Sequence, residues 1–373
     1  MDITPFFKLM VDKGASDLFF SVGAPPNIKI EGITSPIGQV PIKSNQMAEI
    51  VLSIMNDAQQ KEFESKMELN MAFSLAGVGR FRINLFRQRG EVAMVVRYIK
   101  GEIPSIEDLN LPQVLKSLVL ELRGLVLVVG STGSGKSTTL AAMINHRNEN
   151  HRGHILTIED PIEYIHQHKK SIVDQREIGI DTLSYDNALK NAMREAPDVI
   201  LIGEIRDLNS MKHAIAYAET GHLCISTLHA NNANQALDRV INFFPDEARQ
   251  QILLDLSLNL KAIISLRLIP GVDNQRVAAV ELLINSPYIS DLIEKGKIDD
   301  IKEVMARSTE QGMQTFDQAL FNLYKEGKIS KENAIKYADS KNNVGLQIRL
   351  GEEKNFNVQD DNLQIQPDDL DKI

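Results

Sequence analysis

The sequence predicts an α/β protein in which a small α+β domain precedes a larger domain built on a mainly parallel sheet. Three observations support this prediction. The 373 residues suit two domains better than one. Short strands mixed with amphipathic helices fill residues 1 to about 100. From Gly124 onward, short β runs lack polar alternation, as expected for strands buried on both faces of a parallel sheet.

The first 100 residues supply the elements of the small domain. The segment Asn27–Glu31 alternates like a strand, and so do 80–86 and 92–99, which are predicted to form a hairpin around Gln88–Gly90. Two helices, Gln46–Met55 and Ala58–Met67, complete the set. Residues 101–115 carry Gly101, Pro104 and Pro112 with few large apolar groups, so we expect a linker there.

The predicted α/β domain covers residues 116–349. Its first strand, Leu125–Val129, leads into a glycine-rich loop and a helix from Lys136 to about Asn148. Three more β runs are expected at His154–Ile158, Val199–Ile202 and Leu223–Thr227. Residues 350–373 follow, and 351–373 hold seven acids and two lysines. We expect a disordered acidic tail.

Composition restricts the function classes. The 43% apolar and 24% charged residues are typical of a soluble globular protein, and no apolar run approaches the roughly 18 residues of a membrane span. We expect no signal peptide and no transmembrane segment. Cys224 is the single cysteine, which excludes an internal disulfide or a zinc site made of cysteine pairs. These features favour the cytoplasm, and the net charge of −9 gives no indication of nucleic-acid binding.

The glycine-rich loop fits the pattern G-x-x-x-x-G-K-[ST] between a predicted strand and a predicted helix. Glycine lets the backbone wrap closely around phosphate oxygens, and the loop N–H groups face the anion. Lys136 is expected to pair with the β- and γ-phosphates of ATP, and the Ser137 hydroxyl to bind Mg²⁺. A chance match in a strand–helix turn is the alternative. The expected nucleotide-binding residues are Gly130, Ser131, Thr132, Gly133, Ser134, Gly135, Lys136, Ser137 and Thr138.

Two acidic segments follow predicted strands. Glu204 ends the run that begins at Pro197, where an acid of a P-loop sheet reaches the Mg²⁺ shell. A surface acid is the alternative for Glu204. The strand His154–Ile158 is followed by Glu159, Asp160 and Glu163, which can polarise a lytic water or form a solvated loop.

Two histidines, His222 and His229, flank the strand Leu223–Thr227. His229 lies at its carboxyl end, where ligands bind in such sheets, and a neutral imidazole there can sense a γ-phosphate.

These segments together resemble the secretion ATPase family. Residues 193–207 resemble its signature around the Walker B strand, Ile158–Glu163 its aspartate box, and Thr220–His229 its histidine box. The short N-terminal region resembles the type IV pilus retraction ATPases, the PilT/PilU-like branch, and the accessory PilU-type members most. This resemblance to the PilU type lies in residues 15–19, 79–82, 230–239 and 312–320. Residues 289–296 depart from the C-terminal motif of the PilT type, which favours the accessory motor.

The resemblance implies a homohexameric ring with a PAS-like N-terminal domain and a RecA-like ATPase domain. It implies Mg·ATP hydrolysis coupled to pilus retraction and twitching motility at the cytoplasmic face of the inner membrane. A PilT-type retraction ATPase and the inner-membrane pilus platform protein are the implied partners. By the same resemblance, Glu163 is the catalytic glutamate, Glu204 the Walker B glutamate that helps to bind Mg²⁺, and His229 the nucleotide sensor.

Arg82 and Arg97 match the family's arginines that reach nucleotide from the N-terminal domain, although solvated strand arginines are the alternative. A different function class also remains open, namely a regulatory or assembly module that binds ATP and rarely turns it over. The complete acid set at Glu163 and Glu204 argues against that class. The short N-terminus and the missing cysteines disfavour the assembly motor of a secretion system.

Overall fold

The computed structural model describes residues 2–30, 32–99, 101–273 and 275–360. The chain divides into two compact units. What we call the N-terminal unit contains Met1–Ile103, Leu156–Lys169 and Val173–Asn191. What we call the P-loop unit contains Pro104–Ile155, Lys170–Ile172 and Ala192–Ile373. None of the described helices is both long and apolar enough to cross a membrane.

The strands are β1 (Asp17–Ser21), β2 (Asn27–Ile30), β3 (Ile33–Pro36), β4 (Glu68–Leu75), β5 (Gly79–Gln88), β6 (Glu91–Ile99), β7 (Gly124–Val129), β8 (Gly153–Glu159), β9 (Ser171–Glu177), β10 (Val199–Ile202), β11 (Leu223–Leu228), β12 (Leu260–Pro270) and β13 (Arg276–Ile284). The helices are α1 (Thr4–Asp12), α2 (Ser44–Ile54), α3 (Asp57–Lys66), α4 (Val114–Leu120), α5 (Lys136–Asn150), α6 (Tyr185–Ala192), α7 (Leu208–Glu219), α8 (Ala233–Asn242), α9 (Arg249–Asn259), α10 (Pro287–Glu294), α11 (Ile301–Arg307), α12 (Phe316–Lys325), α13 (Lys331–Tyr337) and α14 (Lys341–Asp360).

The first sheet has six strands in the order β3-β2-β1-β6-β5-β4, all paired antiparallel. Alternate side chains of these strands, such as Leu18, Phe81 and Val96, are fully buried. They pack with helix residues into one hydrophobic core, in which Phe7 of α1 stacks on Phe81 with 4.5 Å between the ring centroids. The alternation in the sequence therefore predicted β2, β5 and β6 correctly, because one face is covered by helices and the other is not part of this core. Strands β1, β3 and β4 were not predicted.

The predicted hairpin is confirmed. Strands β5 and β6 pair from Arg80 opposite Ile99 to Gln88 opposite Glu91, and only two residues connect them. Both turn residues, Arg89 and Gly90, have positive φ angles of 53° and 81°. A two-residue turn with positive φ at both positions matches the right-handed twist of the flanking strands.

The second sheet has seven strands in the order β13-β12-β7-β11-β10-β8-β9. Strands β10, β11, β7 and β12 run parallel, and β13 pairs antiparallel with β12. Every residue of β7, β10 and β11 is buried, which confirms the prediction drawn from their continuous apolar runs. Strands β9, β12 and β13 were not predicted from the sequence.

The C-terminal helices form a second core on this sheet. Phe316 and Leu320 of α12 pack with Val344 and Ile348 of α14, and Ile269 of β12 belongs to the same cluster. Helix α14 extends to Asp360, and 361–373, the remainder of the predicted acidic tail, lies outside the described residues.

Candidate functional site

The glycine-rich loop lies between β7 and α5, as predicted. Its residues Gly130, Gly133 and Gly135 have φ angles of 151°, 77° and 96°, a region that L side chains rarely adopt. A Cβ atom on Gly130 would lie 2.4 Å from the Ser134 Oγ and 2.7 Å from the Leu266 carbonyl oxygen. The loop is therefore closed tightly on itself and on β12, with no room for a side chain at Gly130.

Lys136 begins α5 and turns its ammonium group back onto the loop. Its Nζ atom donates hydrogen bonds of 2.9 Å to the carbonyl oxygens of Gly130 and Ser131. Burial lowers the pKa of Lys136, and the charge of Glu204 opposes that shift. The Ser137 side chain is exposed at the same helix N-terminus, where N–H groups and the helix dipole favour an anion. The Ser134 Oγ is buried and, within the described part of the chain, lacks a hydrogen-bond partner.

Glu204 follows β10, and its carboxylate contacts two other side chains. Its Oε2 accepts a 2.8 Å bond from the Arg206 Nε, and its Oε1 lies 2.8 Å from the His229 Nε2. Next to it, the hydroxyl of Thr227 on β11 donates to the Gly203 carbonyl oxygen at 2.7 Å. The structure thus brings together Lys136, Glu204 and His229, which the sequence predicted separately.

The loop that carries His229 is anchored at two points that the sequence did not indicate. The Arg239 Nη1 donates to the His229 carbonyl oxygen at 2.9 Å. The buried Glu281 of β13 accepts a 2.8 Å bond from the Ala233 N–H at the start of α8, and a 3.1 Å bond from the Ser265 hydroxyl of β12. Burial raises the pKa of Glu281.

Two cavities adjoin the glycine-rich loop within the P-loop unit. One, of about 530 Å³, is lined by Gly130, Ser131, His229, Arg239 and neighbouring residues of α8. The other, of about 560 Å³, lies beside α5 and is lined by Asp108–Leu111 of the predicted linker together with residues of β12 and β13. A nucleotide whose phosphates enter the loop therefore has adjacent space for its remaining groups.

The aspartate-box residues lie in the N-terminal unit. Glu163 is exposed in the segment between β8 and β9. Glu159, at the end of β8, accepts bonds from the Thr157 hydroxyl at 2.6 Å and from the Gln175 Nε2 at 3.1 Å. The residue is partly exposed, but protein atoms enclose its carboxyl group, and this burial raises the pKa of Glu159 to about 7.

Arg82 and Arg97 are directly opposite each other on β5 and β6, so both side chains leave the same face of the sheet. The Arg97 Nε donates a 2.9 Å bond to the buried carboxylate of Asp17, while 64% of its own side chain remains exposed. Arg82 lies near Glu177 and helps to hold the pKa of that carboxyl down against the larger upward effect of burial. Among the predicted site residues, these two and Glu163 belong to the N-terminal unit, whereas Lys136, Glu204 and His229 belong to the P-loop unit.

Comparison with known proteins gives a consistent family assignment. The model of the Type II/IV secretion system protein family matches residues 4–361. The chain is 54% identical to the type IV pilus ATPase PilU of Pseudomonas aeruginosa over 354 residues, covering 95% of this chain and 93% of that protein. It is 43% identical to the type IV pilus retraction ATPase PilT of the same organism over 334 residues, covering 90% of this chain and 97% of that protein.

A solved structure agrees with the sequence relatives. The crystal structure of the pilus retraction motor PilT with bound ADP superposes with a TM-score of 0.85 at 41% identity, covering 91% of this chain and 98% of that chain. The α/β fold expected from the sequence is therefore that of a PilT-like ATPase. On the match over almost its whole length, this chain belongs to the Type II/IV secretion system protein family.

Proposed function

We propose that this chain is an ATP-hydrolysing motor of type IV pilus retraction, of the accessory PilU type, and that it supports twitching motility. The main support for this proposal is that Lys136, Glu204 and His229 lie close together at the glycine-rich loop. The identity of 54% to a PilU protein over 95% of the chain supports the retraction role. The 43% identity to a PilT protein and the likeness to the ADP-bound PilT structure support nucleotide use.

The phosphate-binding role belongs to residues 130–138. Lys136 now bonds two loop carbonyl oxygens, and an incoming triphosphate offers its ammonium group stronger, charged acceptors. The donor set that suits an anion is completed by the backbone N–H groups at the start of α5 and by the Ser134 hydroxyl, which has no hydrogen-bond partner among the described residues.

The residues present also fit Mg²⁺. This cation prefers oxygen ligands and usually takes only one or two from the protein when it accompanies phosphates. The Ser137 hydroxyl can supply such an oxygen directly, and the described residues hold no larger cluster of His, Cys, Asp and Glu that could bind a metal alone. When bound, the ion would neutralise charge on the phosphate oxygens. Because both Glu204 oxygens already have partners, we assign Glu204 to the ion's outer surroundings and to orienting His229.

Catalysis needs a base and a charge-stabilising group besides this loop. We assign Glu163 as the base that accepts a proton from the attacking water, because it is exposed and carries no hydrogen-bond partner among the described residues. We assign His229 as the group that senses the γ-phosphate through its bond to Glu204. Arg82 and Arg97, side by side on one face, are assigned to the nucleotide held by a neighbouring subunit.

The assembly that fits these roles is a homohexamer at the cytoplasmic face of the inner membrane. Each subunit would contribute a RecA-like P-loop domain, covering 116–349, and a PAS-like domain, covering 1–100 and joined by the linker 101–115. The antiparallel sheet covered by helices on one face supports the PAS-like assignment. A PilT-type ATPase and the platform protein of the pilus are the proposed partners.

The test of this function is genetic complementation in the host. The gene is deleted alone and together with that of the PilT relative, and pilus retraction is scored after return of the wild-type chain or of Lys136→Ala. We expect wild type, but not the variant, to restore the retraction that this chain contributes. Restoration by Lys136→Ala at the same protein level would contradict an ATP-driven role and would favour a regulatory module.

A further inference from the structure

The segment between β8 and β9 carries Glu163 and forms no helix and no strand. Glu163 itself is exposed, so contacts of its flanking backbone must determine where its carboxylate lies. Those contacts come from β9. The Glu177 carboxylate accepts a 3.4 Å bond from the N–H of Ile162, the residue before Glu163. Gln175, two residues earlier on the same face of the strand, bonds the carbonyl oxygen of Tyr164, the residue after Glu163.

The Gln175 side-chain amide makes three hydrogen bonds. Its Nε2 donates to the Tyr164 carbonyl oxygen at 2.9 Å, and its Oε1 accepts from the His166 N–H at 2.8 Å. The Nε2 also donates to the Glu159 carboxylate at 3.1 Å. The opposite amide orientation would place donor against donor and acceptor against two acceptors, so this network allows one orientation only.

Through these bonds one side chain connects both ends of the segment around Glu163. Glu159 lies four residues before Glu163, and His166 lies three residues after it. The Thr157 hydroxyl donates to the same Glu159 oxygen at 2.6 Å, which fixes that end on β8. Removing the Gln175 amide would remove one hydrogen bond each from the Glu159 carboxylate, the Tyr164 carbonyl oxygen and the His166 N–H.

We propose that Gln175 is a positioning residue for hydrolysis, because its amide holds the Glu163 segment in the place from which the Glu163 carboxylate acts. This inference rests on the proposed function, in which Glu163 is the base. A displacement of about 1 Å at a reacting group can cost about 100-fold in rate. The three hydrogen bonds of the Gln175 amide lie within the N-terminal unit, whereas nucleotide binding depends on the glycine-rich loop of the P-loop unit, so binding should persist.

The primary experiment measures steady-state phosphate release and ATP binding by purified Gln175→Ala. We expect kcat to fall about 10- to 100-fold while KM and the calorimetric Kd for ATP change less than about threefold. The matched control is Gln314→Ala, because Gln314 is also half-buried and donates to a backbone carbonyl, that of Val280, at 2.8 Å. Gln314→Ala should keep the wild-type kcat. A Gln175→Ala kcat equal to wild type would overturn the proposal.

A double-mutant cycle with Glu163→Gln separates positioning from general destabilisation. If Gln175 acts through Glu163, Gln175→Ala should lower the residual single-turnover rate of Glu163→Gln by less than about twofold. An equal fractional loss in both backgrounds would overturn the proposal. Gln175→Glu provides a second variant in case the alanine variant does not fold. It keeps an acceptor for the His166 N–H but removes both donated bonds at neutral pH, so its kcat should also fall, and an unchanged kcat would count against the proposal.

The outcomes also distinguish this inference from the proposed function. A wild-type chain that binds ATP but releases no phosphate would remove the function, and Gln175 would have no reaction to support. A wild-type chain that hydrolyses ATP, is blocked by Glu163→Gln and is unaffected by Gln175→Ala would leave the function standing and overturn only the positioning role.

Discussion

At the scale of single residues, the two glutamates assigned to hydrolysis have different surroundings. Glu204 is held between Arg206 and His229, whereas Glu163 is exposed. We therefore expect Glu163→Gln to keep nucleotide binding while kcat falls at least about 100-fold, since the base is lost. Glu204→Gln removes a charge near Lys136 and should mainly raise the Mg²⁺ concentration that supports half-maximal rate.

Titration of Mg²⁺ against the ATPase rate of both variants checks this assignment. The wild-type Mg²⁺ midpoint is the reference, and Glu163→Gln should share it although its maximal rate is low. Identical Mg²⁺ profiles for the two variants would show that the roles are wrongly divided between these glutamates.

Glu159 predicts a pH effect on stability rather than on catalysis. Its pKa is raised from 4.5 to about 7 by burial, so the folded protein holds this proton more tightly than the unfolded chain does. The stabilising contribution of the Glu159 proton to folding is fully present below about pH 4.5 and is lost as the pH rises through about 7. As the pH rises from 5 to 7.5, the contribution of Glu159 to the free energy of unfolding should therefore decrease by on the order of 2 kcal/mol.

Urea denaturation at several pH values measures this effect as the difference between wild type and Glu159→Gln. The difference removes shared contributions such as that of His166, whose pKa is lowered to about 4 and whose effect has the opposite sign. The variant should lose less stability than wild type as the pH rises. The exposed Glu64 of α3 provides the control, because Glu64→Gln should follow the wild-type curve, while a Glu159→Gln curve parallel to wild type would contradict the raised pKa.

Individual site residues could be predicted where they belong to a short motif or follow an apolar strand. Lys136, Glu204 and His229 met one or both conditions, and the structure brings them together. Gln175 and Glu281 met neither condition. Glu281 lies 48 residues from its partner Ala233, and only the pairing of β12 with β13 brings it to the start of α8.

At the scale of elements, continuous apolar runs predicted β7, β10 and β11 almost to the residue. Strand β12 escaped because α9 ends at Asn259 and the strand begins at Leu260, with no glycine or proline between them. Apolar periodicity alone does not separate a helix from a strand in such a stretch. Strand β9 escaped because charged residues occupy it, including Asp174 and Arg176, and its signal is weak.

The start of α8 gives a prediction at this scale. Its Ala233 N–H is one of the donors that a helix leaves unpaired, and the buried Glu281 accepts from it. Glu281→Ala should lower the free energy of unfolding by about 1–3 kcal/mol, because a buried donor loses its acceptor. Glu281→Gln keeps an acceptor oxygen and should cost less.

Urea denaturation of the three proteins measures these differences. Alanine and glutamine variants of equal stability would show that the bond to α8 is not what Glu281 contributes.

At the scale of the whole molecule, the proposed ring requires residues from different chains to share one nucleotide. Lys136→Ala chains keep Arg97, and Arg97→Ala chains keep the glycine-rich loop. Mixed rings should therefore recover ATPase activity that neither variant shows alone, since an arginine supplied in trans can accelerate phosphoryl transfer roughly 10³- to 10⁵-fold.

The control mixes two preparations of the same variant, with labelled chains to confirm subunit exchange. Mixed rings that exchange subunits and stay inactive at every ratio would contradict the trans role. Arg97 would then stabilise the sheet of its own chain through the bond to Asp17.

Assembly and partners were predicted from the family resemblance alone, because a subunit interface leaves no periodic pattern comparable to that of a strand. The fold, in contrast to the assembly, could be predicted from the sequence itself, because the apolar runs and the glycine-rich loop between β7 and α5 indicate an α/β architecture.

Steady-state phosphate release by the purified chain with Mg·ATP tests whether the glycine-rich loop binds ATP for hydrolysis. Wild type should release phosphate continuously. Lys136→Ala removes the charged donor that meets the phosphates, and the loss in the transition state should exceed that in binding, so its rate should be at least about 100-fold lower. Phosphate release by Lys136→Ala at the wild-type rate would show that the glycine-rich loop is not the site of ATP hydrolysis.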